Sequence, residues 1–382
     1  MTAEWNLDRA RIVTRSSVID GGSLSVRDGV ISGMDSGALN SPATLDFDGD
    51  YLIPGLVELH TDNLEKHFSP RPGVRWPATL AVLGHDAQIC AAGITTVLDA
   101  IAVGDVRDGQ TRLEMLRDMV GAIDAAQKTG ILRADHFLHL RCEVSYGPLI
   151  DLVEPMAGLD WLKLVSVMDH TPGQRQFVSV AKYREYYQGK FGLSDADMET
   201  FIANQIAAAQ AHGAANRRAI VALCRERHIP LASHDDATAD HVAEAAGDGM
   251  VVAEFPTTVE AAAMSRANGM KIMMGGPNLV RGSSHSGNIS ARSLAEQGLL
   301  DIVSSDYVPS SMLHGAFLLC ETVPDINLPA AIAMVATHPA EAVGLSDRGE
   351  IAPGKRADLL RVAVVDGVPV VRSVWRNGQR VM

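Results

Sequence analysis

Cysteine, long apolar runs and positive charge are all in short supply in this chain. The 382 residues include four cysteines, with no C-x-x-C spacing, which is too few for a disulfide framework and suits a reducing cytoplasm. No apolar run reaches the ~18 residues that a membrane span needs. Glu4 and Asp8 lie where a signal peptide would be basic and then apolar, so we expect a cytoplasmic protein without a cleaved leader.

The shortage of positive charge limits the partners that the chain can attract. Lys and Arg number 33 against 46 Asp and Glu, which gives a formal net charge of −13. This balance provides no overall field for nucleic acid or a membrane, so local cations must hold any anionic ligand. With 47% hydrophobic and 21% charged residues, the chain can bury a large core. The length predicts one domain of catalytic size plus a smaller one.

Both ends of the chain show the pattern of short β-hairpins. Segments of alternating polarity are separated by turn sequences such as Asp366-Gly367 and Asn377-Gly378. We expect residues 1–52 and 350–382 to pair into one small β-sandwich domain built from both termini.

Between these ends, apolar strands alternate with helical stretches, which is typical of βα units around a parallel sheet. Eight strands are predicted, at 55–62, 94–100, 136–145, 161–170, 229–236, 250–257, 271–278 and 301–308. Eight βα units close a barrel, so we predict an α/β fold with a (β/α)8 TIM-like barrel over residues 53–349. The segment 175–228 is too long for one crossover helix and predicts an insert of two or three helices.

Polar residues cluster at the carboxyl ends of the predicted strands, where a barrel places its active site. The metal ligands predicted there are His60, Asp62, Glu143, His170, His234 and Asp306. Imidazole and carboxylate donors without cysteine suit one or two ions of Zn²⁺, Mn²⁺ or Fe²⁺. Such an ion lowers the pKa of a bound water to about 7, and Asp306 is the predicted general base.

A second group of residues predicts an anionic substrate. Cations recur in the loops at the same end of the barrel: Lys66, His67, Arg71, Arg75, Arg141, Arg175, Arg281 and His285. The planar fork of arginine suits phosphate oxygens, and a local excess of cations in an acidic chain favours a polyanion over a neutral amide. Tyr183, Tyr186 and Tyr187 in the insert have two readings, stacking on a sugar or base and packing within the insert.

Longer motifs resemble a known superfamily. The chain resembles the amidohydrolase superfamily in IPGLVELHTD, SSDYVPSS, THPAEAVGL and RGEIAPGKRADLL. It resembles the PhnM family of phosphonate metabolism in HLRCEVS, MDHTPGQRQF, KYREYYQGKFGLSD, ASHDDAT and MGGPNLVRGSSHSGN. The resemblance implies hydrolysis of α-D-ribose 1-methylphosphonate 5-triphosphate, a small phosphorylated sugar phosphonate, to the 5-phosphate with release of pyrophosphate.

The chain departs from the usual amidohydrolase pattern at two strand ends. His60-Thr61-Asp62 replaces H-x-H, and Glu254 is the nearest substitute for the histidine of the sixth strand. The carboxylate-rich ligand set favours harder ions including Mn²⁺. Lys163 lies too early in its strand to act as a carbamylated bridging ligand, so bridging is assigned to Glu143.

Two other functions remain open at this point. Hydrolysis of a cyclic amide or N-acyl substrate is the commoner chemistry on this scaffold, and fold alone does not exclude it. A non-catalytic scaffold that kept the barrel is the third reading, although the full ligand set argues against it. A homodimer is compatible with the sequence.

Overall fold

The computed structural model describes residues 4–37, 44–104, 110–284 and 288–382. Within these residues, the strands form two separate eight-stranded sheets. The terminal sheet contains β1 (Trp5–Val13), β2 (Val18–Arg27), β3 (Val30–Asp35), β4 (Thr44–Asp46), β5 (Tyr51–Pro54), β14 (Leu359–Val365), β15 (Val368–Arg376) and β16 (Gln379–Arg380). The barrel sheet contains β6 (Leu56–Thr61), β7 (Ile94–Val103), β8 (Asp135–Glu143), β9 (Leu162–Met168), β10 (Leu231–His234), β11 (Val252–Glu254), β12 (Lys271–Gly275) and β13 (Ile302–Ser304).

The helices lie mostly in the connections between barrel strands. Before the insert they are α1 (Leu64–Phe68), α2 (Ala78–Ala91), α3 (Gln110–Thr129) and α4 (Leu149–Val153). The insert holds a 3₁₀ turn (Arg175–Phe177), α5 (Val180–Phe191), α6 (Asp195–Ala208), a π-helical turn (Ala209–Gly213) and α7 (Ala214–Glu226). The remaining helices are α8 (Ala239–Gly247), α9 (Val259–Ala267), α10 (Gly276–Arg281), α11 (Ala291–Glu296), α12 (Ser311–Thr322), α13 (Leu328–Val335) and α14 (Thr337–Ala342).

The eight barrel strands are those predicted from the sequence, and they pair in parallel in chain order from β6 to β13. A single parallel bridge between Thr61 and Asp306 joins the first strand to the last. The predicted (β/α)8 barrel is therefore confirmed, with its ring closed at this one bridge.

The alternation of side chains along β8 shows how a barrel strand supplies both core and site. Leu138, Leu140 and Cys142 are fully buried in the large core between the strands and the surrounding helices. Arg141 and Glu143 have the opposite parity and line a cavity inside the barrel mouth. This period of two is a property of any strand, so one strand places an apolar row outward and a polar row inward.

The terminal sheet is built from both ends of the chain, as predicted. Its order is β16-β15-β14-β5-β1-β2-β3, with β4 paired to β1, so the expected sandwich is one continuous hydrogen-bonded sheet. A separate apolar core lies against it, and its largest members are Phe47 and Trp375. Asp366-Gly367 and Asn377-Gly378 have positive φ at both residues, the geometry of tight hairpin turns.

The insert of 175–228 has its own small core. Tyr183, Tyr187, Phe177, Met198 and Ile202 are buried together, which fastens α5 to α6. Ser179 and Ser194 cap these helices by accepting hydrogen bonds from the backbone amides of Lys182 and Asp197. No helix in the described ranges is long and apolar enough to span a membrane.

Candidate active site

A cavity of about 680 Å³ opens at the carboxyl ends of the barrel strands. All six predicted metal ligands line it: His60, Asp62, Glu143, His170, His234 and Asp306. They come from the ends of five barrel strands, with His60 and Asp62 sharing β6, and only the closed ring brings them together. The metal-binding role of this set remains a prediction.

The closing seam of the barrel positions two of these residues. The amide of Asp62 donates to the carbonyl of Asp306 at 3.1 Å, and the amide of Asp306 donates to the carbonyl of His60 at 3.1 Å. Asp306 has φ of 54°, a left-handed conformation that turns the chain sharply at the strand end. Behind the seam, Glu58 accepts from the amide of His60 at 2.6 Å, and burial raises the pKa of Glu58 to about 8.

One cluster of possible ligands gathers on the side of β8, β9 and β10. His170 Nδ1 lies 2.7 Å from Glu143 Oε2. Asp235 Oδ2 lies 3.3 Å from His234 Nε2 and 4.0 Å from His170 Nε2. His170, His234 and Asp235 therefore present one donor atom each within the span of a single ion.

A second cluster lies deeper in the barrel. His60 Nδ1 is 3.3 Å from Glu254 Oε1, and His139 Nε2 is 3.5 Å from the same oxygen. Glu254 Oε2 is also 3.0 Å from His234 Nδ1, so it connects this cluster to the first. The hydroxyl of Ser166 contacts both His139 and Glu254.

Three residues of these clusters escaped the sequence-based ligand set. The sequence indicates Glu254 only as a substitute for a missing histidine, and the predicted ligand set does not include His139 or Asp235. The signal for His139 is strand parity, because it lies four residues before Glu143 and therefore faces the same side of β8. Asp235 follows His234 directly, and its φ of 55° turns its side chain toward the site; no sequence periodicity indicates this.

The clusters shift the pKa values of their own members. Burial favours the neutral acid, but the hydrogen bonds from His170 and Ser145 and the attraction to His170 together outweigh it and lower the pKa of Glu143. Burial lowers the pKa of His139 to about 3, so this ring is neutral. Glu254 is fully buried, yet attraction to His60 and hydrogen bonds from His234 and His60 hold its pKa well below the usual range. The barrel floor thus keeps anionic carboxylates beside imidazoles.

Several buried nitrogen and oxygen atoms in this site, each a possible metal ligand, lack a hydrogen-bond partner within the described part of the chain. They are His60 Nδ1, Asp62 Oδ1, Asp235 Oδ2 and Glu254 Oε1. A buried polar atom without a partner costs free energy unless something else satisfies it. Four such atoms of imidazole and carboxylate groups around one cavity fit a divalent metal centre.

Three of the predicted cations line the cavity: Lys66, Arg141 and Arg281. Lys66 Nζ donates to the carbonyl of Tyr307 at 2.8 Å, which holds its stem beside the seam. Arg141 Nη1 lies 3.9 Å from Asp62 Oδ2, and its buried Nε has no hydrogen-bond partner in the described chain. These three remain candidates for substrate contact.

Four other predicted cations lie outside the cavity lining, which corrects the expectation of one shared rim. His67 Nε2 turns away toward Gln88 Oε1 at 2.9 Å, and Arg71 is exposed in a turn with Val74. Arg75 pairs with Asp118 and with Glu114 on α3. Loop position alone did not indicate which way these side chains point. His285 lies outside the described residues.

Arg175 differs most from its predicted role. Its side chain is only 4% exposed, and its guanidinium pairs with the buried Asp236 and, at 2.9 Å, with Glu244 on α8. Both partners belong to the protein, so Arg175 fastens the start of the insert to the barrel. It is a structural cation and not part of the cavity wall.

A third histidine cluster lies outside the barrel, beneath α2. Asp99 on β7 accepts from His85 Nε2 at 2.7 Å and from His136 Nδ1 at 2.8 Å. Burial opposes the charge of His136, but attraction to Asp99 and hydrogen bonds to Asp86 and Asp99 raise its pKa to about 9. Asn63, next to Asp62, lies 3.2 Å from His85 Nδ1 and so ties this network to the cavity wall.

Comparison with known proteins assigns the class of this fold and site. Residues 87–382 match the Amidohydrolase family. N-acetylglucosamine-6-phosphate deacetylase from Pasteurella multocida has a similar structure, with a TM-score of 0.65, 14% identity and 99% of each chain covered. 5-methylcytosine deaminase from Klebsiella pneumoniae gives a TM-score of 0.63 at 15% identity, over 99% of this chain and 98% of that one. Fold and site together define an amidohydrolase barrel.

A curated relative narrows the class. The α-D-ribose 1-methylphosphonate 5-triphosphate diphosphatase of Escherichia coli (strain K12) is 50% identical over 376 residues, which is 98% of this chain and 99% of that protein. The chain belongs to the PhnM family of the amidohydrolases, as its sequence motifs indicate. Metal dependence is typical of this fold, and the clusters of His, Asp and Glu in the barrel mouth agree with it.

Proposed function

We propose that this protein hydrolyses α-D-ribose 1-methylphosphonate 5-triphosphate to the corresponding 5-phosphate and pyrophosphate. The observation that carries the proposal is the 50% identity to the E. coli diphosphatase over 98% of the chain. The cavity supports it, because Lys66, Arg141 and Arg281 line it in a protein of net charge −13. Phosphate oxygens would give these cations charge-assisted hydrogen bonds.

We further propose that the site holds one or two divalent ions of zinc, manganese or iron. The side chains that would hold them are His60, Asp62, Glu143, His170, His234, Asp235, Glu254 and Asp306. When bound, such an ion supplies Lewis acidity, which lowers the pKa of a coordinated water toward neutrality. His139 would join this set, because its Nδ1 donates to the carbonyl of Leu59 at 2.8 Å and so leaves the lone pair of Nε2 available, beside His60 and Glu254.

The proposed role of Asp306 is to accept a proton from the attacking water. The water oxygen bonds to the α-phosphorus, the bond from that phosphorus to the bridging oxygen breaks, and pyrophosphate leaves with the bridging oxygen. Two hydrogen bonds of 3.1 Å hold the backbone of Asp306 at the seam, which keeps its carboxylate in place for the transfer. Lys66 and Arg281 would neutralise the departing pyrophosphate.

The direct test measures products. Purified protein is incubated with the ribosyl triphosphate and, separately, with a panel of N-acyl and cyclic amide substrates. Pyrophosphate from the first is the expected result. Amine release from the panel without pyrophosphate would assign the protein to amide hydrolysis instead.

An isotope experiment tests the point of attack. In H₂¹⁸O, attack at the α-phosphorus places the label in the ribosyl 5-phosphate, whereas attack at the β-phosphorus places it in pyrophosphate. Label found only in pyrophosphate would refute the proposed geometry and leave the hydrolase assignment intact.

Chelation tests the metal. Treatment with a chelator should abolish turnover, and adding back Mn²⁺ or Zn²⁺ to the dialysed protein should restore it. Full turnover by protein that elemental analysis shows to be metal-free would contradict the proposal.

A further inference from the structure

The cations of the cavity lie in two groups on opposite sides of the barrel mouth. Lys66 follows β6, and Arg281 follows β12. These two strands are the neighbours of β13, the last strand of the barrel, so both cations lie near the seam. Arg141 on β8 reaches toward the seam, where its Nη1 lies 3.9 Å from Asp62 Oδ2, whereas Lys190 lies on α5, which follows β9. In a closed ring of eight strands, β9 is across from β13, so the insert that carries Lys190 begins on the side opposite the seam. A ligand that spans the cavity therefore meets positive charge at both ends.

Lys190 was not singled out by the sequence, and its surroundings in the structure are aromatic. Its Nζ lies 5.6 Å from the ring centre of Tyr186, 5.9 Å from that of Tyr187 and 5.5 Å from that of Phe191. All four residues line the cavity. Within the described ranges, no carboxylate forms an ion pair with Lys190. Ring faces attract an ammonium without occupying its N–H donors, which remain available to a ligand.

The core of the insert fixes the face that α5 presents to the cavity. Tyr183 and Tyr187 are buried: the ring centre of Tyr183 lies 5.3 Å from that of Phe177, and that of Tyr187 lies 5.6 Å from that of Phe201. Tyr186, one residue from Tyr187, is 46% exposed, and it points toward the cavity. Of the two roles predicted for these tyrosines, Tyr183 and Tyr187 therefore pack within the insert. Tyr186 is exposed at the cavity and is available to stack on a ligand.

We propose that Lys190, Tyr186 and Phe191 form a second anion subsite that binds the sugar and the C1 phosphonate of the substrate. Lys66 and Arg281 then bind the pyrophosphate end. This inference rests on the proposed function, since it needs a substrate with anionic groups at both ends.

The chemistry of the two sides decides the orientation. A ribose ring has an apolar C–H face that packs on aromatic rings, and Tyr186 and Phe191 supply such rings beside a cation. The side of Arg281 instead carries Ser283 and Ser284, whose small polar side chains suit a group made only of oxygen and phosphorus. The insert helix thereby becomes the part of the protein that distinguishes a sugar phosphonate from other triphosphates.

A comparison of two substrates tests the subsite. The first carries the C1 phosphonate, and the second is ribose 5-triphosphate, which has the same triphosphate and a free anomeric hydroxyl. Lys190→Ala should lower kcat/KM for the first substrate by about 10-fold or more, mainly through KM, and should change the second by less than about 3-fold. Lys182→Ala, at the start of the same helix and outside the cavity lining, should leave both values unchanged.

The outcomes separate the subsite from the proposed function. An equal loss on both substrates, or no loss on either, would overturn the subsite while pyrophosphate release by the wild type still supports the function. No pyrophosphate from the wild type with either substrate would overturn the function itself. Lys190→Arg should recover part of the activity on the phosphonate substrate, and unchanged thermal unfolding of Lys190→Ala should show that the loss is not one of folding.

Discussion

The backbone of Asp62 is hydrogen-bonded to that of Asp306 across the seam where the barrel closes, with 3.1 Å between the Asp62 amide nitrogen and the Asp306 carbonyl oxygen. These two residues are 244 positions apart in the sequence, and each ends a barrel strand at the cavity. The hydrogen bonds that close the ring of strands therefore also bring Asp62 and Asp306 together in the site. Any change that opens the seam should separate the proposed ligands and the proposed base together.

Replacement of the proposed base should stop chemistry without unfolding the protein. Asp306→Asn keeps the shape of the side chain but removes its ability to accept a proton, so we expect kcat to fall by about 10² to 10⁴-fold. Steady-state pyrophosphate release gives kcat, and elemental analysis gives the metal content. Asp325→Asn, an exposed carboxylate beyond α12, is the matched control. Near-normal kcat in Asp306→Asn with metal bound would show that another group is the base.

Arg281 should affect the substrate and not the stability. Its guanidinium lines the cavity, so Arg281→Ala should lower kcat/KM on the triphosphate by about 10- to 150-fold, the range for a lost charge-assisted hydrogen bond. The free energy of unfolding should stay within about 0.5 kcal/mol of wild type, as for other surface substitutions. Arg281→Lys should recover only part of the activity, because an ammonium lacks the planar fork.

Arg175 should show the opposite behaviour. Arg175→Ala removes the partner of the buried Asp236 carboxylate and leaves its charge uncompensated, which should cost about 3 to 5 kcal/mol of unfolding free energy. Denaturant titration measures this loss. Arg184→Ala, which breaks a more exposed pair with Glu199 on the same insert, should cost less than about 1 kcal/mol. Equal stability of the two variants would contradict the structural role of Arg175.

Gly104 leaves room for Glu143 in the cavity wall. A Cβ at this position would lie 2.8 Å from Tyr146 Cβ and 3.2 Å from Glu143 Cβ, and the residue has φ of +97°. Gly104→Ala should therefore destabilise the protein by about 1 to 3 kcal/mol and reduce metal binding, because Glu143 must shift. A Cβ at Gly121 on α3 would have no heavy atom within 4 Å, so Gly121→Ala should raise the free energy of unfolding by up to about 1 kcal/mol. Thermal unfolding and metal titration of the two variants make the comparison.

The buried pair of His136 and Asp99 should make stability depend on pH. The folded pKa of His136 is about 9 against 6.5 for an ordinary histidine, so the folded state binds the proton more tightly. The pair makes its full contribution to the free energy of unfolding below about pH 6.5, and this contribution disappears as the pH rises toward about 9. Relative to His136→Gln, wild type should lose about 3 kcal/mol of unfolding free energy over this interval.

Urea unfolding at several pH values between 6.5 and 9 measures this difference. His212→Gln, at an exposed position outside this network, is the control variant. A wild-type curve parallel to that of His136→Gln would show that His136 is not held in its charged form.

Local pattern was enough to predict the barrel and the terminal sheet. Hydrophobic runs, helical spacing and turn sequences are properties of neighbouring residues, so the eight strands and the Asp366-Gly367 and Asn377-Gly378 turns follow from the sequence. The strand ends also indicated His60, Asp62, Glu143, His170, His234 and Asp306, because the carboxyl end of every barrel strand faces the same mouth.

Only the tertiary structure decided the direction of side chains in the segments that connect the barrel strands. Arg175 and Arg281 both lie in short helical segments that follow barrel strands, yet Arg175 pairs with Asp236 inside the protein and Arg281 lines the cavity. Lys190 reaches the cavity because the buried tyrosines of the insert hold α5 across the barrel mouth. A strand dictates the direction of its side chains through its period of two, whereas a loop side chain takes its direction from partners that are distant in the sequence.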